Sequence, residues 1–169
     1  MINSKNLNGY VLFDIDGVIR DVTQSYRLAI QKTVLFFAGW EPLIEEIDDL
    51  KGEGLWNNDW DLSYELMRRY KNKNNIDLQL PQKYKLIEKF NNYYFGKSLI
   101  KNIDKLDGFI KNEKLLVNKD FFKNLSNNKF AWGFFSGSER LSANYILIKR
   151  LKLNNPALIA MGEALDKPN

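Results

Sequence analysis

The sequence predicts an α/β protein: a doubly wound parallel sheet interrupted by a large helical insertion. Three observations lead there. Short apolar runs at residues 10–14, 130–135 and 157–161 are the length of strands and too short for helices. Stretches with helical spacing of apolar residues separate them, and strands alternating with helices imply parallel pairing. The first two runs are about a hundred residues apart, far more than a plain crossover connection takes. The expected division is therefore an α/β core at 1–20 and 119–169, with a helical cap at 21–118.

The elements follow in order. Residues 10–14 are continuously apolar, which suits a strand covered on both faces. From Thr23 the period changes, and Tyr26, Ile30, Val34 and Phe37 recur at helical spacing up to a closing Gly39. Ile44 to Leu50 is a shorter helix ended by Gly52 and Gly54. Asp59 to Tyr70 is another, with Leu62, Leu66 and Tyr70 on one face and Arg68 and Arg69 in solvent. Pro81 marks the start of a fourth helix, carrying Tyr84, Ile87, Phe90 and Tyr94 to Gly96. Residues 71–80 and 96–118 are expected as connections, with Leu115, Leu116 and Val117 buried. Lys119 to Leu125 is a helix, 130–135 a strand, and Leu141, Tyr145, Ile148 and Leu151 mark an amphipathic helix before the third strand.

Composition narrows the chemistry. Of 169 residues, 44% are hydrophobic and 14% aromatic, enough for a packed core. There is no cysteine and no histidine. Disulfides, thiolate catalysis, imidazole bases and histidine-bound metals are excluded, which leaves carboxylates, hydroxyls, lysine, backbone groups and a hard cation. The net charge is +4, but the lysines are spread from Lys51 to Lys152 among acids, so a solvated surface rather than a nucleic-acid footprint is expected. No apolar stretch reaches the roughly 20 residues of a membrane span, and Met1 to Asn8 has no apolar signal core. The expected setting is cytoplasmic, with no membrane partner; oligomeric state is not legible.

The densest signal is Tyr10–Ile19. An apolar run ends in Asp14, skips one residue, places Asp16 and turns at Gly17. Two carboxylates at the end of a buried strand lose hydration and need a compensating partner, commonly a divalent cation. The same letters also spell a hairpin, since Asp-Gly after a strand is a strong turn signal. In open parallel sheets, ligands bind beyond the carboxyl ends of the strands. Asp14 and Asp16, Ser136 and Gly137, and the segment after Met161 all fall at such ends.

Asp14-Ile-Asp-Gly17-Val18 resembles the first motif of the haloacid dehalogenase (HAD) superfamily, whose members are mostly magnesium-dependent phosphatases. Ser136-Gly137 after an apolar strand resembles the second motif, and Lys167-Pro168-Asn169 the third. The insertion between the first two resembles the subfamily with a helical, C1-type cap, and Gly54–Asp61 loosely resembles the cap of a phosphatase group within it. The resemblance implies a Rossmann-like core, a Mg2+ cofactor and a small phosphorylated metabolite as substrate. It implies Asp14 as nucleophile and metal ligand, and Asp16 as general acid and base with its carbonyl on the metal. It implies Ser136 and Gly137 as phosphate binders, and Lys167 as the cation that neutralises phosphate and steadies Asp14. An acid at position 16 favours phosphate-ester hydrolysis, because carbon–halogen cleavage needs no leaving-group proton. Plainer roles stand beside these: an Asx turn for Asp16, an N-cap for Ser136, a surface lysine for Lys167. Arg20 is expected at the surface, with contact to substrate as the other reading.

The family's fourth motif, an acidic cluster on a further strand, is absent after Lys167. The core sheet is thus expected to be incomplete at the C-terminus, with Tyr10–Asp14 as an open apolar edge. An N-terminal portion of a longer phosphatase, with weak magnesium affinity and little turnover by itself, is the expectation. A non-catalytic binding or regulatory module and a phosphomutase are the alternatives.

Overall fold

A computed structural model describes residues 7–97 and 102–165. The chain divides into two compact units, one of residues 1–22, 100–105 and 113–169, the other of 23–99 and 106–112.

The first unit carries the sheet. β1 (Gly9–Phe13) pairs in parallel with β4 (Phe130–Phe135), with Tyr10 opposite Ala131 and Phe13 opposite Phe134. β4 pairs in parallel with β5 (Leu158–Ile159), so the order is β1-β4-β5. Parallel pairing of strands this far apart in sequence requires a long connection, as the apolar runs predict. Among the described residues β1 is the open edge, as expected. Its residues alternate, with Tyr10 and Leu12 about three-quarters exposed at 74% and 75%. It is not the doubly covered strand the continuous apolar run suggests. On its other face Phe13 meets Phe121, Phe122 and Phe134 at ring separations of 5.7–6.1 Å.

α5 (Lys119–Asn127) packs on that face, started by Asn118, whose side chain accepts from the Phe121 N–H at 3.1 Å. Phe122 is 1% exposed and touches the rings of Phe13, Trp132 and Phe134. Phe122→Ala should cost about 3–5 kcal/mol, because a cavity among four aromatic rings closes poorly. Urea unfolding followed by tryptophan fluorescence measures it, and a loss below about 1 kcal/mol would mean that the site collapses or that α5 is loosely docked.

Two further parts of this unit differ from the sequence reading. The expected amphipathic helix begins as α6 (Arg140–Asn144) but runs on as a π-helical segment over Tyr145–Arg150. The Leu151 N–H bonds the Ile146 carbonyl, five residues back. The wider turn rotates the face, so Ile146 and Leu147 are fully buried while Ile148 is exposed. The second difference is β3 (Lys114–Leu115), which pairs antiparallel with β2 (Arg20–Asp21) where a plain connection is expected. Leu115, Leu116 and Val117 are not core: Leu116 is exposed and all three line an open groove with Phe121 and Leu151.

The second unit is helical: α1 (Tyr26–Ala38), α2 (Ile44–Gly52), α3 (Asp59–Asn74) and α4 (Lys83–Tyr94). α1 closes at Gly39 in the left-handed region, φ 67°. α3 is capped by the Asn58 side chain on the N–H groups of Trp60 and Asp61, with acids in its first turn and lysines in its last, matching the helix dipole. Ile30, Val34, Leu62, Leu66, Leu86 and Phe90 form its core. On α4 the expected Tyr84 is exposed, and Leu86 is buried instead. Glu65, 4% exposed at its side chain, is balanced by Arg68 and Arg69, so those two arginines are ion-paired rather than merely solvated. Among the described residues no helix is long and apolar enough to cross a membrane.

Candidate functional site

No hairpin forms at Asp14–Gly17. Among the described residues β1 pairs with β4, and the chain turns at Gly17. Gly17 has φ +74°, a left-handed conformation that costs other residues roughly 1–2 kcal/mol. Its N–H donates to the Arg20 carbonyl at 2.8 Å, while the Ile15 carbonyl accepts from the N–H groups of Ile19 at 2.8 Å and Arg20 at 3.2 Å. Ile15 and Ile19 anchor this loop with no exposed surface. The turn therefore lays Arg20 beside Asp16, as a bridge between the two residues.

Asp14 is exposed, and its Oδ1 accepts from the Ile15 N–H at 2.7 Å. Asp16 is one-third exposed at its side chain. Loss of hydration is thus not the main constraint on either. The partner of Asp16 is a residue of the chain. Its Oδ1 accepts from Arg20 Nε at 2.7 Å, and its Oδ2 accepts from the Ser138 hydroxyl at 2.7 Å. Among the described residues it accepts from no backbone N–H, so the Asx-turn role is not the one Asp16 plays here.

β4 delivers the other side. Its parallel register with β1 puts residues 135 and 136 at the same end of the sheet as Asp14. Ser136 is buried, and its hydroxyl accepts from the Ser138 N–H at 3.1 Å, while its own N–H donates to the Ile159 carbonyl at 2.9 Å. It closes a tight turn and is not the cap of α6, which begins after Glu139. A Cβ at Gly137 would meet nothing within 4 Å, so this turn faces open space. Lys167 lies outside the described residues.

Arg20 is the main departure from expectation. It is fully buried. Besides Asp16 it binds Glu113 Oε2 at 2.7 Å and Ser138 Oγ at 3.1 Å. Glu113 is fully buried at its side chain and sits just before β3. A buried guanidinium needs charged partners, and the two carboxylates and a hydroxyl supply them. Glu113 and Ser138 were not distinguishable by pattern.

Glu163, an acid just after β5, is engaged elsewhere. It pairs with Arg140 and accepts from the Ala160 N–H, and these bonds hold its carboxyl down at about 2.

Magnesium suits the donors at the end of β1. The Asp16 carbonyl accepts no hydrogen bond from a described residue, and the Asp14 carboxylate stands exposed two residues away. Magnesium commonly takes one or two carboxylates and fills its octahedron with waters and substrate phosphate. Among the described residues no group of three acidic side chains could hold a metal, so the chain's share there is small.

No protein-family model matches the chain. A stretch of 57 residues is 46% identical to part of an imidazoleglycerol-phosphate dehydratase from Phytophthora nicotianae, 34% of this chain and 12% of that protein. The chain thus spans about an eighth of that relative's length. Among solved structures, phosphatase Tt82 from Thermococcus thioreducens superposes with a TM-score of 0.72 at 21% identity, over 95% of this chain and 75% of that one. A hydrolase from Pseudomonas syringae superposes with a TM-score of 0.50 at 16% identity, over 95% and 63%. At these identities the likeness is one of fold.

Proposed function

We propose that this chain, whose parallel core with a helical insertion shares its fold with a phosphatase and a hydrolase, is an HAD-like enzyme that hydrolyses phosphomonoesters through an aspartyl-phosphate. The observation that carries this reading is the meeting of Asp14 and Asp16 with the Ser136–Ser138 turn at one end of the sheet, joined by the Ser138–Asp16 bond.

A carboxylate oxygen of Asp14 attacks phosphorus as the bond to the ester oxygen breaks, and the bonding pair leaves with that oxygen. Asp16, once Oδ2 has left the Ser138 hydroxyl and taken up a proton from water, gives that proton to the leaving oxygen. Asp16 then takes a proton from water, whose oxygen attacks phosphorus and breaks the bond to Asp14, restoring the carboxylate and releasing phosphate. Both Asp16 oxygens are held in the arrangement described, so one must leave its donor to reach substrate. The open turn at Ser136 and Gly137 receives phosphate oxygens, with Lys167 as the neutralising cation. Asp14 and the Asp16 carbonyl would hold magnesium, which would screen the charge between carboxylate and phosphate. The substrate class is a small phosphorylated metabolite.

Hydrolysis of p-nitrophenyl phosphate tests this. Release of phosphate that needs magnesium and stops with EDTA is expected. Equal rates with and without the metal would reject the mechanism. A second reading, a fold that binds phosphate without turnover, is favoured by the small donor set for metal; it predicts phosphate binding by calorimetry and no release from the ester.

A further inference from the structure

We propose that Arg20 is the positioning residue for Asp16, with Glu113 and Ser138 as the fixed points that aim it. What Asp16 does rests on the phosphatase reading; how it is held stands on geometry.

A guanidinium is a rigid planar fork, so fixing two of its nitrogens fixes the direction of the third. Arg20 is held in this way. Nη1 is on Glu113 Oε2 at 2.7 Å and Nη2 reaches Ser138 Oγ at 3.1 Å. Nε and Nη2 both stand 2.7 Å from Asp16 Oδ1. Ser138 then gives its hydroxyl hydrogen to Asp16 Oδ2 at 2.7 Å, which closes a ring through Arg20, Asp16 and Ser138. The burial is graded: the Arg20 and Glu113 side chains have no exposed surface, whereas Asp16 is 32% exposed. The holder is inside, and only the held group reaches solvent.

Glu113 explains why the holder persists. If Arg20 served Asp16 alone, any turn of Asp16 toward substrate would strand a buried cation. The buried Glu113 carboxylate keeps it paired throughout. The two handles on Asp16 also differ in strength, since a hydrogen bond from a cation is about twice as strong as one from a neutral hydroxyl. Oδ2 therefore leaves Ser138 to reach the leaving oxygen, and Oδ1 stays on Arg20 as the pivot. A lysine would keep the charge and lose the fork.

Three variants test this: Arg20→Lys, Ser138→Ala, and the double Arg20→Met/Glu113→Met, which removes both buried charges together and strands neither. The readouts are crystal structures for the orientation of Asp16, and kcat and KM with p-nitrophenyl phosphate. Arg20→Lys and the double variant are expected to leave Asp16 in several orientations with Asp14 unmoved. They should lower kcat roughly 100-fold, the scale of a misplaced catalytic group, with KM within about threefold. Ser138→Ala should lose less than about tenfold, since only the weaker handle goes. A single unchanged Asp16 orientation in Arg20→Lys overturns the proposal, as does a loss carried by KM. If the double variant does not fold, Arg20→Lys decides. A wild-type protein with no magnesium-dependent turnover would defeat the phosphatase reading, and the Asp16 orientations would still decide this one.

Discussion

Asp14→Asn is expected to lower magnesium-dependent turnover by more than about a thousandfold while the fold stays intact. The amide carries no charge and is a poor nucleophile, so the covalent intermediate cannot form and the two-step route is lost. The structural cost is small, because Asp14 is exposed and an asparagine oxygen can still accept from the Ile15 N–H. Initial rates on the variant, with mass spectrometry to exclude deamidation back to aspartate, measure the effect. A melting temperature close to that of the unaltered protein separates chemistry from unfolding. Residual turnover of a few per cent would mean that a different group attacks phosphorus.

Arg20→Met alone should be among the most damaging single changes to stability. It leaves the fully buried Glu113 carboxylate without its guanidinium, and removing one partner of a buried pair typically costs about 3–5 kcal/mol. For a chain of this size each kcal/mol is worth roughly 2–4 °C, so the midpoint should fall by about 6–20 °C. Adding Glu113→Met should recover much of it, since no charge is then stranded. Thermal unfolding by circular dichroism on the two variants decides the matter. A single variant as stable as the parent would show that water reaches Glu113 and that the pair is not truly desolvated.

The elements were largely legible because each rests on a local signal. β1 and β4 are short apolar runs, α1 closes at Gly39, and α4 follows Pro81. Where the reading failed, the cause was not local. Nothing near Tyr145 announces a π turn, yet one extra residue in the turn moves Ile148 outward and Ile146 inward. β3 is two residues long and exists only because β2 lies beside it. The alternating exposure of Tyr10 and Leu12 depends on which layers cover β1, not on their apolar character.

The site divides in the same way. Asp14, Asp16 and Gly17 are set by order along the chain: a strand end, a skipped residue and a left-handed turn need no distant partner to be recognised. The environment of Asp16 belongs to tertiary structure. Glu113 is 93 residues from Arg20 and Ser138 is 122 from Asp16, and no periodicity links positions so far apart. Whether Arg20 lies in water or in the core follows from what packing brings to it. A buried charge is tolerable only where opposite charges arrive from elsewhere in the fold, and that is a property of the folded chain alone.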